Sequence, residues 1–215
     1  MMNENKVFNI SLPENPIISI KVIPGHFTTS NAHGNFYLDV SSLKANAKVA
    51  RDVAQELAMP YFSSTLIDTI VCMEKMDVIG AYLAEELMHD GMSVVNADRD
   101  IHVVTPIGNI NGNLVFPDNV IEWISNKFII LLVASISSGK TVKSAMDCLS
   151  YYGGKVAGIS TLFLSSREKL DQEIHTLFTS DDIPGYKLYN TADCEMCKTG
   201  LKLDAIINSE GYTKI

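Results

Sequence analysis

"FIILLVASISSGKTVKSAMDCLSYYGGKV", residues 128–156, decides how the chain is read. Phe128–Val133 is an unbroken apolar run, too short for a helix and suited to a strand buried on both faces. After Gly139, the residues Val142, Ala145, Met146 and Leu149 recur at helical spacing, and Gly153-Gly154 ends that helix. Between strand and helix lie Ser137, Ser138, Gly139, Lys140 and Thr141. A helix start offers unpaired N–H groups and the positive end of the helix dipole, so this turn is a candidate phosphate site. Gly139 allows close backbone approach, the hydroxyls can donate, and Lys140 can fold back onto an anion. The competing reading is a Ser or Thr that only caps the helix. No acidic residue lies between Phe128 and Thr141.

Working outward, "VAGISTLFL" (156–164) reads as another buried strand, as do "TIVCM" (69–73) and "IHVVTP" (101–106). The pattern Val78, Ile79, Tyr82, Leu83, Leu87 predicts a helix after "TIVCM", with Asp77 as its cap. "SSLKANAKVARDVAQELA" (41–58) predicts one helix behind a serine cap, with Leu43, Ala47, Ala50, Ala54 and Leu57 on the buried face. Asn111-Gly112 predicts a hairpin, and "PIISIKVI" and "FYLDV" predict strands in a small N-terminal flap. Apolar strands alternating with amphipathic helices predict an α/β fold, a doubly wound parallel sheet. Ligands then sit at the carboxyl ends of strands, so the informative loops follow residues 73, 104 and 133.

The chain has 215 residues, 47% of them hydrophobic, enough for one sizeable domain with an appendage. A net charge of −8 without clustered Lys or Arg excludes a nucleic-acid surface as the expected partner. No apolar run reaches the roughly 18 residues of a membrane span, so a soluble, cytoplasmic protein with no membrane partner is expected. Of the four cysteines, Cys72 and Cys148 lie in apolar contexts and only Cys194 and Cys197 look paired. "ASISSGKT" has Ala134 where a P-loop needs its first glycine, which reduces a nucleotide-triphosphatase to a minor alternative.

The strand, turn and helix of residues 128–156 resemble the signature of type I phosphoribosyltransferases. "FTTSNAHGNFYLDVSS" (27–42), with Phe27, Ser30, Phe36, Tyr37 and Asp39, is similar to the hood segment of the orotate phosphoribosyltransferase branch. "DCEMCKTGLKL" (193–203) resembles a C-terminal tail found in many members. The resemblance implies a hood over residues 1–42, an α/β core over 43–190 and a tail over 191–215. It also implies a homodimer, phosphoribosyl diphosphate or a nucleotide as ligand, and Mg²⁺ as cofactor only if the protein is catalytically active.

Against that pattern, the family's acidic pair, which grips the ribose, falls on Ala134 and Ser135, or on Val133 and Ala134. Losing two carboxylates beside an oxocarbenium-like transition state forfeits about 2 kcal/mol or more per group. In the loop that should carry diphosphate, "VCMEKMDVIG", Glu74 matches and Lys75 is a candidate compensating charge, but the family's glycines are missing. The lid segment "TPIGNINGNLVFPDN" (105–119) holds no cation. Cys194 and Cys197 have a two-ligand metal spacing, but a structural zinc needs four ligands. No second Cys-x-x-Cys or neighbouring His completes the set, so an ordinary turn or thiol pair is expected, with a site shared across a dimer as the alternative. His26 and His33 read as surface residues of the hood that could at most face a base or phosphate, and His89, His102 and His175 form no triad. Two functions follow. One is an orotate-type pentosyltransferase; the other is a catalytically inactive binding or regulatory module for a nucleotide or sugar phosphate.

Overall fold

The computed structural model describes residues 6–30, 32–63, 65–89, 95–97, 99–108, 114–165, 173–208 and 211–215. The chain forms two compact units, Met1–Leu43 with Phe178–Ile215, and Lys44–Leu177. The first begins with β1 (Phe8–Ser11), β2 (Ser19–Thr28) and β3 (Ala32–Asp39), successive antiparallel strands. The β2–β3 register slips between Pro24 and Phe27. A proline has no N–H for the ladder, so a bulge is the natural accommodation.

After the short helix α1 (Ser41–Ala45), the second unit opens with α2 (Ala47–Ala58). The single helix expected over 41–58 is thus two. Asn46 Oδ1 accepts from the amides of Lys48 and Val49, so its side chain starts a new helix and interrupts the old one. There follow β4 (Thr69–Cys72), α3 (Asp77–Met88), β5 (His102–Val104), β6 (Ile107–Gly108), β7 (Leu114–Val115), β8 (Phe128–Ile136), α4 (Lys140–Tyr151), β9 (Lys155–Leu164) and β10 (Ile174–Thr179). Asp77 is the first residue of α3 and not its cap; it accepts instead from the Thr105 hydroxyl. The Asn111-Gly112 turn lies outside the described residues, but its flanks β6 and β7 pair antiparallel.

The sheet order is β10-β9-β8-β4-β5, with β5, β4, β8 and β9 parallel. Counted along the chain, these five strands stand in the order 2-1-3-4-5. Strand order reverses between β4 and β8, and in doubly wound sheets that reversal opens the ligand crevice. Both faces are covered. On one, Val71, Ile129, Leu131, Val133 and Ile159 pack with Val142, Ala145 and Leu149 of α4. On the other, α3 lies so close that a Cβ on Gly80 would stand 2.3 Å from Cys72 Sγ. Alternation along β4 and β8 therefore sends successive side chains to opposite helical layers.

The chain then returns to the first unit as β11 (Leu188–Asn190), α5 (Glu195–Lys198), β12 (Ala205–Asn208) and β13 (Gly211–Lys214). β11 pairs with β3, β12 pairs parallel with β2, and β13 pairs antiparallel with β12. Among the described residues, no helix is long and apolar enough to cross a membrane.

Candidate functional site

The β8–α4 connection occupies the strand-order reversal. β8 runs past the expected end at Val133, because Ser135 and Ile136 pair with Phe163 and Leu164 of β9. Ala134 and Ser135 are therefore strand residues, the first buried and the second exposed. They carry a methyl and a hydroxyl where a sugar-gripping pair would need carboxylates.

Ser137 and Ser138 then turn the chain, and Gly139 starts α4 in the left-handed conformation at φ 69°. Gly139, at the cap position, makes no side-chain capping bond. Gly139 O accepts the first intrahelical bond, from Lys143 N at 2.9 Å. The amides of the first turn precede that bond and have no intrahelical partner. Ser137, Ser138 and Gly139 are half-buried, while Lys140 and Thr141 are exposed. The turn thus sets the first-turn amides next in sequence to the Ser137, Ser138 and Thr141 hydroxyls at the carboxyl end of β8.

Facing it, the loop after β4 is tightly wound. Met76 N donates to Met73 O at 3.1 Å, and both Glu74 (φ 54°) and Lys75 (φ 62°) are left-handed. Non-glycine residues there cost roughly 1–2 kcal/mol each, so surrounding contacts must hold the loop. Those contacts are visible. Glu74 Oε2 accepts from Ala134 N at 3.1 Å and Ser135 N at 3.2 Å, and Lys44 Nζ donates to Glu74 O at 3.0 Å. Burial pushes the Glu74 carboxyl above its ordinary range, against the opposing pull of the Ser135 and Ala134 amides and of Lys44. The glycines expected of a diphosphate loop are absent, but the backbone shape that glycine would favour is present. Lys75 is exposed at its apex.

Mg²⁺ fits this donor set poorly. Positions 134 and 135 offer no carboxylate, and Glu74 spends one carboxylate oxygen on two amides.

The first unit holds a second cluster that the sequence reading missed. His26 and His33 are not surface residues; both are buried, and they meet Cys194 and Cys197. His26 Nε2 lies 3.3 Å from His33 Nδ1, 3.5 Å from Cys194 Sγ and 3.7 Å from Cys197 Sγ, and His33 Nδ1 lies 3.3 Å from Cys197 Sγ. The expectation that no histidine joins the cysteine pair within one chain is thus corrected. Sequence separation of some 160 residues hid the pairing, because β3 and β11 must first join before the four can meet. His102 stacks on Trp123 and His175 packs edge-on against Tyr61.

No family model matches the chain. Over 195 residues it is 27% identical to an orotate phosphoribosyltransferase of Wolinella succinogenes, covering 84% of this chain and 88% of the relative. The orotate phosphoribosyltransferase of Mycobacterium tuberculosis superposes with a TM-score of 0.52 at 12% identity, over 76% of this chain and 91% of that one. Leishmania donovani UMP synthase superposes with a TM-score of 0.50 at 15% identity, over 69% of this chain, which spans only 31% of that protein's length. The chain has a type I phosphoribosyltransferase-like fold. That fold is consistent with a ligand bearing a phosphate or phosphoribosyl group.

Proposed function

We propose that the protein binds the 5′-phosphate of a phosphoribosyl compound, phosphoribosyl diphosphate or a nucleotide, in the turn Ser137–Thr141. The observation that carries this reading is left-handed Gly139 opening an uncapped helix at the reversal of strand order. A terminal phosphoryl group would accept from the first-turn amides and the Ser137, Ser138 and Thr141 hydroxyls, with Lys140 adding charge. Glu74 and Lys75 would border the ribose or diphosphate portion. Because positions 134 and 135 lack carboxylates and Glu74 is engaged by main-chain amides, binding without transfer is the favoured activity.

The likeness to an orotate phosphoribosyltransferase supports a second reading, in which the phosphoribosyl group passes to a nucleobase. Titration calorimetry with phosphoribosyl diphosphate, nucleoside monophosphates and ribose 5-phosphate, with and without Mg²⁺, separates the two. Monophosphate binding indifferent to Mg²⁺ favours the binding module. Strong Mg²⁺-dependent binding of the diphosphate, with diphosphate release on adding orotate, favours the transferase.

A further inference from the structure

We propose that His26, His33, Cys194 and Cys197 form a structural zinc site that fastens the C-terminal segment to the β2–β3 hairpin. Ligands about 2.3 Å (sulfur) and about 2.05 Å (nitrogen) from a tetrahedral zinc stand about 3.3 Å apart for N to N and about 3.6 Å for N to S. The observed N–N separation is 3.3 Å, and the N–S separations are 3.3, 3.5 and 3.7 Å. All four donor atoms lie within 4.8 Å of one another. Four of the six donor–donor separations thus lie close to those of a tetrahedral zinc, and the other two are within 4.8 Å.

Hydrogen bonding alone explains this arrangement badly. His26 Nδ1 faces Leu201 O at 2.9 Å, and a carbonyl can only accept, so the proton sits on Nδ1. Nε2 of a neutral ring then has one lone pair, yet three potential donors crowd it within 3.7 Å. One hydrogen bond can use that lone pair well; a shared cation satisfies all four groups together. The Nδ1–H to carbonyl bond is also the outer contact that fixes a metal-binding imidazole in its tautomer and orientation.

The backbone delivers the ligands from both sides. The β2 irregularity between Pro24 and Phe27 contains His26, and Asp204 fastens that residue by accepting from His26 N at 2.9 Å while its own amide donates to His26 O at 2.8 Å. β11 pairs Tyr189 with His33 and leads the chain to Cys194, at the N-cap position of α5. The helical turn brings Cys197 back beside it, with Lys198 N donating to Cys194 O at 3.1 Å. Left-handed Gly200 then releases the chain toward Leu201. Here the apolar cluster is small, with Ile23, Phe27, Tyr37 and Ala205 at its centre. Small cores of this kind are commonly completed by a metal. A closed four-ligand set with no open position assigns the ion a structural task, and two sulfurs with two nitrogens select zinc.

The test uses the purified full chain. Mass spectrometric metal analysis should find one zinc per chain, and cobalt replacement should give the intense visible bands of a tetrahedral S₂N₂ centre with thiolate charge transfer. His33→Ala and Cys197→Ser should each weaken cobalt binding by more than the roughly 100-fold that removing an outer hydrogen-bond partner can cost. Absence of stoichiometric metal together with a six-coordinate or missing cobalt spectrum overturns the proposal, as does a Cys194–Cys197 disulfide in the isolated protein or a cobalt affinity in the folded variants equal to that of wild type. If the variants do not fold, the wild-type cobalt spectrum decides alone. The outcome is independent of the phosphate turn, since no nucleotide enters the assay.

Discussion

Glu74 is where the strain of the loop and the chemistry of the crevice meet, and its replacement separates their contributions. In Glu74→Ala the amides of Ala134 and Ser135 lose their shared acceptor. Ser135 is exposed, so water replaces the carboxylate there, whereas the Ala134 amide belongs to a residue only 4% exposed. A stranded buried amide costs about 1–3 kcal/mol, and that is the expected destabilisation. Glu74→Gln retains an oxygen able to accept both bonds and buries no charge. Glu74→Gly loses the acceptor but removes strain at φ 54°, so it should be more stable than Glu74→Ala by roughly 1–2 kcal/mol. The pH dependence has a definite sign. Burial raises the folded-state pKa of Glu74, so its stabilising contribution is complete below the ordinary carboxylate range and fades as pH rises through the folded value. Wild type should therefore lose stability relative to Glu74→Gln as pH rises from the ordinary carboxylate range toward the raised folded-state value. Denaturant unfolding of the four proteins across that range measures it. A wild type that gains on Glu74→Gln with rising pH would mean that the two amides and Lys44 outweigh burial, refuting the argument.

Other substitutions probe the turn and the frame behind it. Gly139→Val should cost roughly 1–2 kcal/mol of stability from its left-handed backbone, yet abolish binding of phosphoribosyl compounds measured by calorimetry; unchanged affinity would move the site elsewhere. Gly80→Ala should destabilise by about 1–3 kcal/mol in thermal or denaturant unfolding, because its new methyl meets Cys72 Sγ at 2.3 Å. Adding Cys72→Ala should recover part of that loss, and failure to do so would place the clash elsewhere, for example on Val103 at 3.2 Å.

The sheet's central strands were legible because they are apolar on both faces, whereas β10, mostly half-buried, was not expected. Phe128–Val133 and Val156–Leu164 announce burial without tertiary knowledge, and the helical stripe of Val142, Ala145 and Leu149 does the same for α4. Ala134 and Ser135 were harder, because a serine beside an edge of small residues looks like a turn until β9 supplies its partner. Asn46 misled in the opposite way: the apolar spacing around it runs on, while one side-chain oxygen divides the helix. The loop at Glu74 and Lys75 showed missing glycines but not that other residues adopt the glycine-like backbone, which depends on contacts to Lys44 and β8. Least legible was the four-residue cluster. Cys194 and Cys197 were visible as a pair, but the bulge that positions His26 and the β3–β11 pairing that brings in His33 are long-range facts. The Cys-x-x-Cys followed distantly from a His-x₆-His was the available signal, and it carries no address without the fold.

The most direct test of the central claim is calorimetric titration of the full chain with nucleoside monophosphates and ribose 5-phosphate in Mg²⁺-free buffer, wild type beside Gly139→Val. The account predicts saturable one-site binding to wild type that Mg²⁺ leaves unchanged and that Gly139→Val eliminates while remaining folded. Equal binding by both proteins, or no binding of either ligand by wild type, would contradict it.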